Sequence, residues 1–136
     1  MAKPTPQEAL VYLMVIMSAS DRDMSDEELA RIGAIVRTLP VFRGFPQART
    51  LAVAQDCQRL LQEEAGLEGL LTLIAETLPA AVRETAYALA VDVAMADLAY
   101  ELEESRMLAI IRQRFGLGRD DVDVIEQAAA IRHRTI

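Results

Sequence analysis

Two stretches of this chain are helix-length, almost free of polar side chains and too short to cross a membrane. Ala9–Met17 is an unbroken apolar run of nine residues, and Ala86–Ala96 is interrupted only by Asp92. A spanning helix needs about 18–20 such residues, so neither segment is read as membrane-spanning. A helix that is apolar on every side is stable in water only when other elements cover it all round. The rest of the chain must therefore be wrapped around two greasy rods. Hardly any strand signal exists to do the wrapping, because alternating β-branched and polar runs are missing between the rods. The expected fold class is all-α.

Helix boundaries can be read from capping chemistry. Thr5-Pro6-Gln7-Glu8 opens the first rod: Thr5 caps, Pro6 suits the first helical position, and Glu8 sits where a capping box places its carboxylate. Ser25-Asp26-Glu27-Glu28 is a second box, opening a helix with Leu29, Ile32, Ile35 and Val36 on its apolar face and ending near Leu39-Pro40. Gly44 and Pro46 mark the longest loop, with Phe42 and Phe45 expected beneath it. A third helix is expected over about 47–64, showing Leu51, Val53, Ala54, Cys57, Leu60 and Leu61, and broken by Gly66. A fourth follows over 67–78, and the second rod occupies about 80–96. A sixth, about 103–115, presents Met107, Leu108, Ile110 and Ile111 and is closed by Gly116. Asp120 is expected to cap a seventh, which carries Val122, Val124, Ile125, Ala128, Ala129 and Ile131. No linker or composition shift divides the 136 residues, so the expectation is one compact bundle of about seven helices over 1–136.

Charge and chemistry narrow the function classes. With 21 Asp+Glu against 14 Lys+Arg the net charge is −7, which argues against binding nucleic acid, whose affinity comes from a cationic footprint. It favours cationic partners: metal ions, basic protein surfaces or polyamines. Cys57, the single cysteine, cannot form an internal disulfide, so the expected compartment is the cytoplasm. Ser18-Ala19-Ser20 imitates a secretory cleavage site, but Lys3 is the only basic residue ahead of the rod and Glu8 cancels it, so export is not expected. Cys57 lies on an apolar face and reads as a packing thiol. The only histidine, His133, sits in Arg132-His133-Arg134, read as a frayed tail. No Ser/His/Asp or Cys/His set and no Gly-rich phosphate loop can be assembled, so an enzyme is not expected. Asp92, inside the second rod, requires a partner on a neighbouring helix, and an arginine is the natural one.

The acids are not evenly spread. Shifting the chain by 76 positions lays residues 9–39 on 85–115 without a gap, matching Leu13/Leu89, Val15/Val91, Asp21/Asp97, Glu27/Glu103, Glu28/Glu104 and Ile35/Ile111. The shared plan is a buried helix, an acidic turn and an amphipathic helix, so two pseudo-repeated helix pairs are expected in halves of about 5–40 and 80–116. Asp21 and Asp97 each end a rod, where the helix macrodipole disfavours a carboxylate. Compensation comes either from the amides of the next helix or from a bound cation. The first reading makes these acids ordinary caps and solvated turns. In the second, Asp21, Asp23 and Glu28 converge on one hard divalent cation, Ca²⁺ or Mg²⁺, and Asp97, Glu101 and Glu104 on another, since such ions take oxygen ligands. The turn is not an EF-hand: Asp26 occupies the place of the required glycine and Ile32 that of the closing glutamate.

Glu8-Ala9-Leu10-Val11-Tyr12-Leu13-Met14 leading to Ser20-Asp21-Arg22-Asp23-Met24-Ser25-Asp26-Glu27-Glu28-Leu29 resembles the TerB tellurite-resistance family. So does Arg83-Glu84-Thr85-Ala86-Tyr87-Ala88-Leu89-Ala90 leading to Ala96-Asp97 and Glu103-Glu104. The resemblance implies a compact all-helical domain of two related halves, a non-enzymatic role in tellurite resistance and wider stress responses, protein partners in a stress-response assembly, and divalent-metal binding at the acidic turns. Asp21 and Asp97 match the family's Asp after the buried helix, and Glu28 and Glu104 match its Glu in the next. This chain departs from the pattern with Arg22 and Leu98 where the family often has Gly, and with Glu101 in place of the second capping Ser. The alternative is an acidic scaffold for a basic protein partner, with no role for metal.

Overall fold

The computed structural model describes residues 3–19, 23–96 and 102–136, the side chains of 102–104 aside. Among these residues there are seven α-helices and no strand. They are α1 (Pro6–Ala19), α2 (Asp26–Thr38), α3 (Thr50–Leu61), α4 (Gly66–Thr77), α5 (Arg83–Ala96), α6 (Leu102–Phe115) and α7 (Arg119–Arg132), with 3-10 turns at Pro40–Phe42, Gln47–Arg49 and Ala80–Val82.

The first rod behaves as its composition demands. All of Ala9–Met17 is buried, and α1 is covered by α2, α3, α4 and α5. The second rod, α5, packs directly on α1 and is covered elsewhere by α6 and α7. Burial of each large aliphatic side chain contributes about 1.5–3 kcal/mol, so these two helices carry the largest share of the core. α1 starts with a complete capping box. The Thr5 N–H donates to Glu8 Oε1 at 2.8 Å, and the Glu8 N–H donates to Thr5 Oγ1 at 3.1 Å. The Thr5 amide holds the Glu8 carboxyl below its ordinary range, against the effect of burial, and the guanidinium of Arg49 at 2.9 Å adds to it. Gln7 satisfies the carbonyls of Val41 and Arg43, tying the loop to α1. Phe42 and Phe45 lie beneath that loop, edge to face with centroids 6.0 Å apart. Among the described residues, no helix is long and apolar enough to cross a membrane.

Several boundaries differ from expectation. The helix expected over 47–64 divides into a 3-10 turn at Gln47–Arg49 and α3, which stops at Leu61. Residues 62–65 form turns that lead into Gly66, whose φ of +52° suits glycine and reverses the chain into α4. Asp120 does not cap α7. Gly118 occupies that position, its carbonyl accepting from the Val122 N–H at 3.1 Å, and Asp120 falls in the first turn. The reason lies upstream: α6 closes with Gly116 at φ +64°, and the Leu117 N–H reaches back to the Arg112 carbonyl. Leu117 packs against the core, and this fixes where the next helix begins. Leu51, Val124 and Ile131, counted among the apolar residues of their helices, face outward at 50%, 66% and 54% exposure.

Cys57 is a packing thiol, as its position on the apolar face suggests. It is fully buried, its Sγ donates to the Tyr12 carbonyl at 3.5 Å, and burial pushes its pKa up to about 12. Because the thiolate is the reactive form, a thiol reagent at mildly alkaline pH is expected to modify the native protein only as fast as α3 opens. Modification in native buffer as rapid as in denaturant would contradict that burial.

Candidate functional site

The acidic-turn residues are only partly within the described structure. Asp21, Asp97 and Glu101 lie outside the described residues, and Glu104 is placed by its backbone alone, in the first turn of α6. Asp23 is exposed, just ahead of the Ser25 that caps α2. Glu28 is half-buried and completes the expected capping box. The Ser25 N–H donates to its Oε1 at 2.9 Å, and the Glu28 N–H donates to Ser25 Oγ at 3.1 Å. One of its carboxylate oxygens is therefore committed to the helix start, and the side chain is held in one orientation. Among the described residues, no group of three His, Cys, Asp or Glu side chains is arranged to hold a metal ion. The donors present at the first turn are oxygens, whereas the soft or borderline ligands Cys57 and His133 are respectively buried in α3 and bonded to α5. Carboxylate oxygens are the donor type that hard cations take, whereas zinc sites draw on Cys and His.

Asp92 finds the arginine it requires. Its Oδ1 accepts from Arg132 at 2.5 Å, and His133 Nε2 stands 3.4 Å from the same oxygen. Expectation and structure part over His133, which is no frayed tail. It forms the C-cap of α7, its N–H bonding the carbonyls of Ala129 and Ile131, and its ring is turned onto α5. The helix needs groups at its C-terminus that suit the negative end of its dipole, and a carboxylate on the neighbouring rod holds Arg132 and His133 there.

The most developed polar arrangement was not legible beforehand. The hydroxyl of Tyr87, on α5, donates to Glu126 Oε2 on α7. Arg112 Nη1, from α6, donates to the Tyr87 oxygen and to the same Glu126 oxygen, both at 2.9 Å. The guanidinium carbon lies 6.0 Å from the Tyr87 ring centroid. Burial, and then the bond to Glu126, raise the pKa of Tyr87, so it is a hydrogen-bond donor at neutral pH. Beside this trio, α6 and α7 border an open cleft of about 450 Å³, lined among others by Gln113, Arg119, Val122 and Asp123. Its ionic groups, Arg112 and Arg119 against Asp123 and Glu126, balance in charge. The only sequence signal was a tyrosine in a rod whose one charged residue is Asp92, since a buried phenol needs a partner for its hydroxyl. The partners, 25 and 39 residues away, carry no local pattern that would identify them.

Two further ties hold the shell together. Arg114 of α6 pairs with Glu68 of α4 and donates to Thr72 Oγ1 at 2.8 Å. Arg83 donates to the carbonyls of Ala75, at 3.1 Å, and Phe115, at 3.3 Å.

The family model described as tellurite resistance protein TerB covers residues 7–127, which takes in every helix from α1 to most of α7. No curated protein and no solved structure matches the chain.

Proposed function

The chain belongs to the TerB tellurite-resistance family, and from that premise we propose that it is a non-enzymatic stress-response module whose acidic helix turns take up a hard divalent cation. The observation that supports this reading is the first turn of α2. Glu28 is pre-oriented there by the Ser25 amide, with Asp23 exposed just ahead of the cap. A carboxylate already held in place loses less side-chain freedom on meeting a cation than a free one. Asp21, Asp23 and Glu28 would hold the ion in the first half, and Asp97, Glu101 and Glu104 in the second. A bound divalent ion would neutralise carboxylates that the rod ends disfavour. Protein partners and a cytoplasmic setting belong to the same proposal, the latter supported by a single buried thiol.

Calorimetric titration of chelator-treated protein with Ca²⁺ and Mg²⁺, alongside thermal melts, tests it. At about 100 times Kd, a ligand that binds only the folded state adds about 2.7 kcal/mol, a rise of several degrees in Tm. Asp23→Ala leaves the capping box intact and should reduce the rise, while Asp21→Ala and Asp97→Ala should abolish their respective halves of it. A melt that millimolar cation does not move, in wild type and variants alike, removes the metal from the proposal. The net charge of −7 favours one other reading, a scaffold for a basic protein partner. Capture of such a partner would then survive chelator and fail in high salt.

A further inference from the structure

Between α2 and the start of α3 lies a groove of about 220 Å³, lined by Leu29, Gly33 and Arg37 on one side and by Thr50 and Leu51, among others, on the other. Three of these residues are not what packing alone would select. Gly33 stands inside α2, needs no left-handed φ, and a Cβ there would meet no atom within 4 Å. Alanine would fit the space and favour the helix more. Thr50 is 7% exposed, and its Oγ1 is buried with no hydrogen-bond partner. Valine would fill the same volume without burying an unmade bond. Arg37 is exposed, and among the described residues no acid pairs with it.

The charge around this groove reverses that of the chain. From Leu29 to Gln55 the sequence holds Arg31, Arg37, Arg43 and Arg49 and no Asp or Glu, although the whole carries −7. An anion is therefore the complementary ligand. Leu29, Gly33 and Arg37 are four residues apart and form one line along α2, two turns or about 12 Å long. In order, the line presents an aliphatic side chain, bare backbone and a cation, with half-exposed Leu51 contributed by α3. We propose that the groove binds a free medium-chain aliphatic carboxylate. Its carboxylate pairs with Arg37, and its chain lies over Gly33, where the missing side chain permits close approach to the backbone. Its methyl end rests against Leu29 and Leu51. The Thr50 hydroxyl, on the groove wall, gains from the ligand the acceptor it lacks. Sites for drug-sized ligands run to about 300–1,000 Å³, so this smaller groove suits a single unbranched chain.

Titration of the isotope-labelled full chain with octanoate, followed by amide chemical shifts, reads binding residue by residue. Saturable shifts are expected at Gly33, Thr50 and Leu51. They should be absent with acetate, which lacks the chain, and with octylammonium, which reverses the charge. Arg37→Gln should weaken binding about tenfold or more, through loss of a charge-assisted hydrogen bond. Gly33→Leu fills the groove floor with a good helix former, and Thr50→Val removes the unpartnered hydroxyl. Both should weaken binding several-fold while leaving the ligand-free Tm at or above that of wild type, the mark of residues kept for a ligand at the expense of stability. Octanoate that moves no amide in the groove overturns the proposal. So do equal binding of octylammonium, variants that bind as wild type does, or a fall in Tm for both Gly33→Leu and Thr50→Val. An acetylated dipeptide ending in a free leucine carboxylate that saturates the same amides at lower concentration than octanoate overturns the assignment to a free acid.

Discussion

Leu13→Ala should lower the free energy of unfolding by about 3 kcal/mol. Leu13 is wholly buried near the middle of α1, a helix covered by four others. Alanine is at least as good a helix former as leucine, so the loss is one of packing and not of local helix stability. Four neighbouring helices cannot all move inward to fill the space, so a residual cavity adds to the lost transfer free energy. For a chain of this size the change corresponds to roughly 10 °C in Tm. In urea it should appear as a lower midpoint with unchanged slope. Leu51→Ala, the same chemical change at a half-exposed site on α3, should cost less than about 1 kcal/mol. Equal losses at the two positions would contradict the central placement of α1.

Arg83→Met should cost about 2–4 kcal/mol, from two hydrogen bonds made by a charged donor. Arg83 opens α5, and its guanidinium reaches the Ala75 carbonyl in the last turn of α4 and the Phe115 carbonyl at the end of α6. The last carbonyls of a helix have no partner within it, and the negative ends of two helix dipoles converge on one cation. The Nε of Arg83 is buried with no hydrogen-bond partner, a cost that the two carbonyl bonds must exceed. Methionine keeps most of the packing volume while removing both donors and the charge. Arg83→Lys should recover no more than about half of the loss, because a single ammonium cannot reproduce a fork that reaches two helix ends. The acceptors are neutral carbonyls, so added salt should leave the difference largely in place. Full rescue by lysine would mean that charge near the dipoles, and not the two-pronged geometry, is what matters.

Local patterns made much of the framework readable. Thr5/Glu8 and Ser25/Glu28 are capping boxes whose two halves lie three residues apart, so the sequence displays both partners at once. The apolar runs announce their own burial, and Gly116 closes α6 because a left-handed residue is required there. Asp92 could be assigned the kind of partner it needs but not which one, because Arg132 lies 40 residues away. The Tyr87–Arg112–Glu126 trio and the Arg83 clamp were invisible for the same reason. Each joins three helices, and their alignment depends on how α5, α6 and α7, or α4, α5 and α6, come to rest on one another. His133 was misjudged because two arginines beside it look like a solvated tail until α5 supplies a carboxylate.

By itself, then, the sequence determined that this protein is helical, where most of its helices begin, and that two of them must be enclosed. Capping and hydrophobic periodicity act over a few residues and leave a direct trace in the order of amino acids. Only the tertiary structure decided which arginine meets which carboxylate, where the cleft between α6 and α7 opens, and that Val124 and Ile131 face outward while Val122 and Ala129 face in. Those outcomes depend on the rotation of each helix about its own axis. That rotation is set by the shapes of all the surfaces packed against it together.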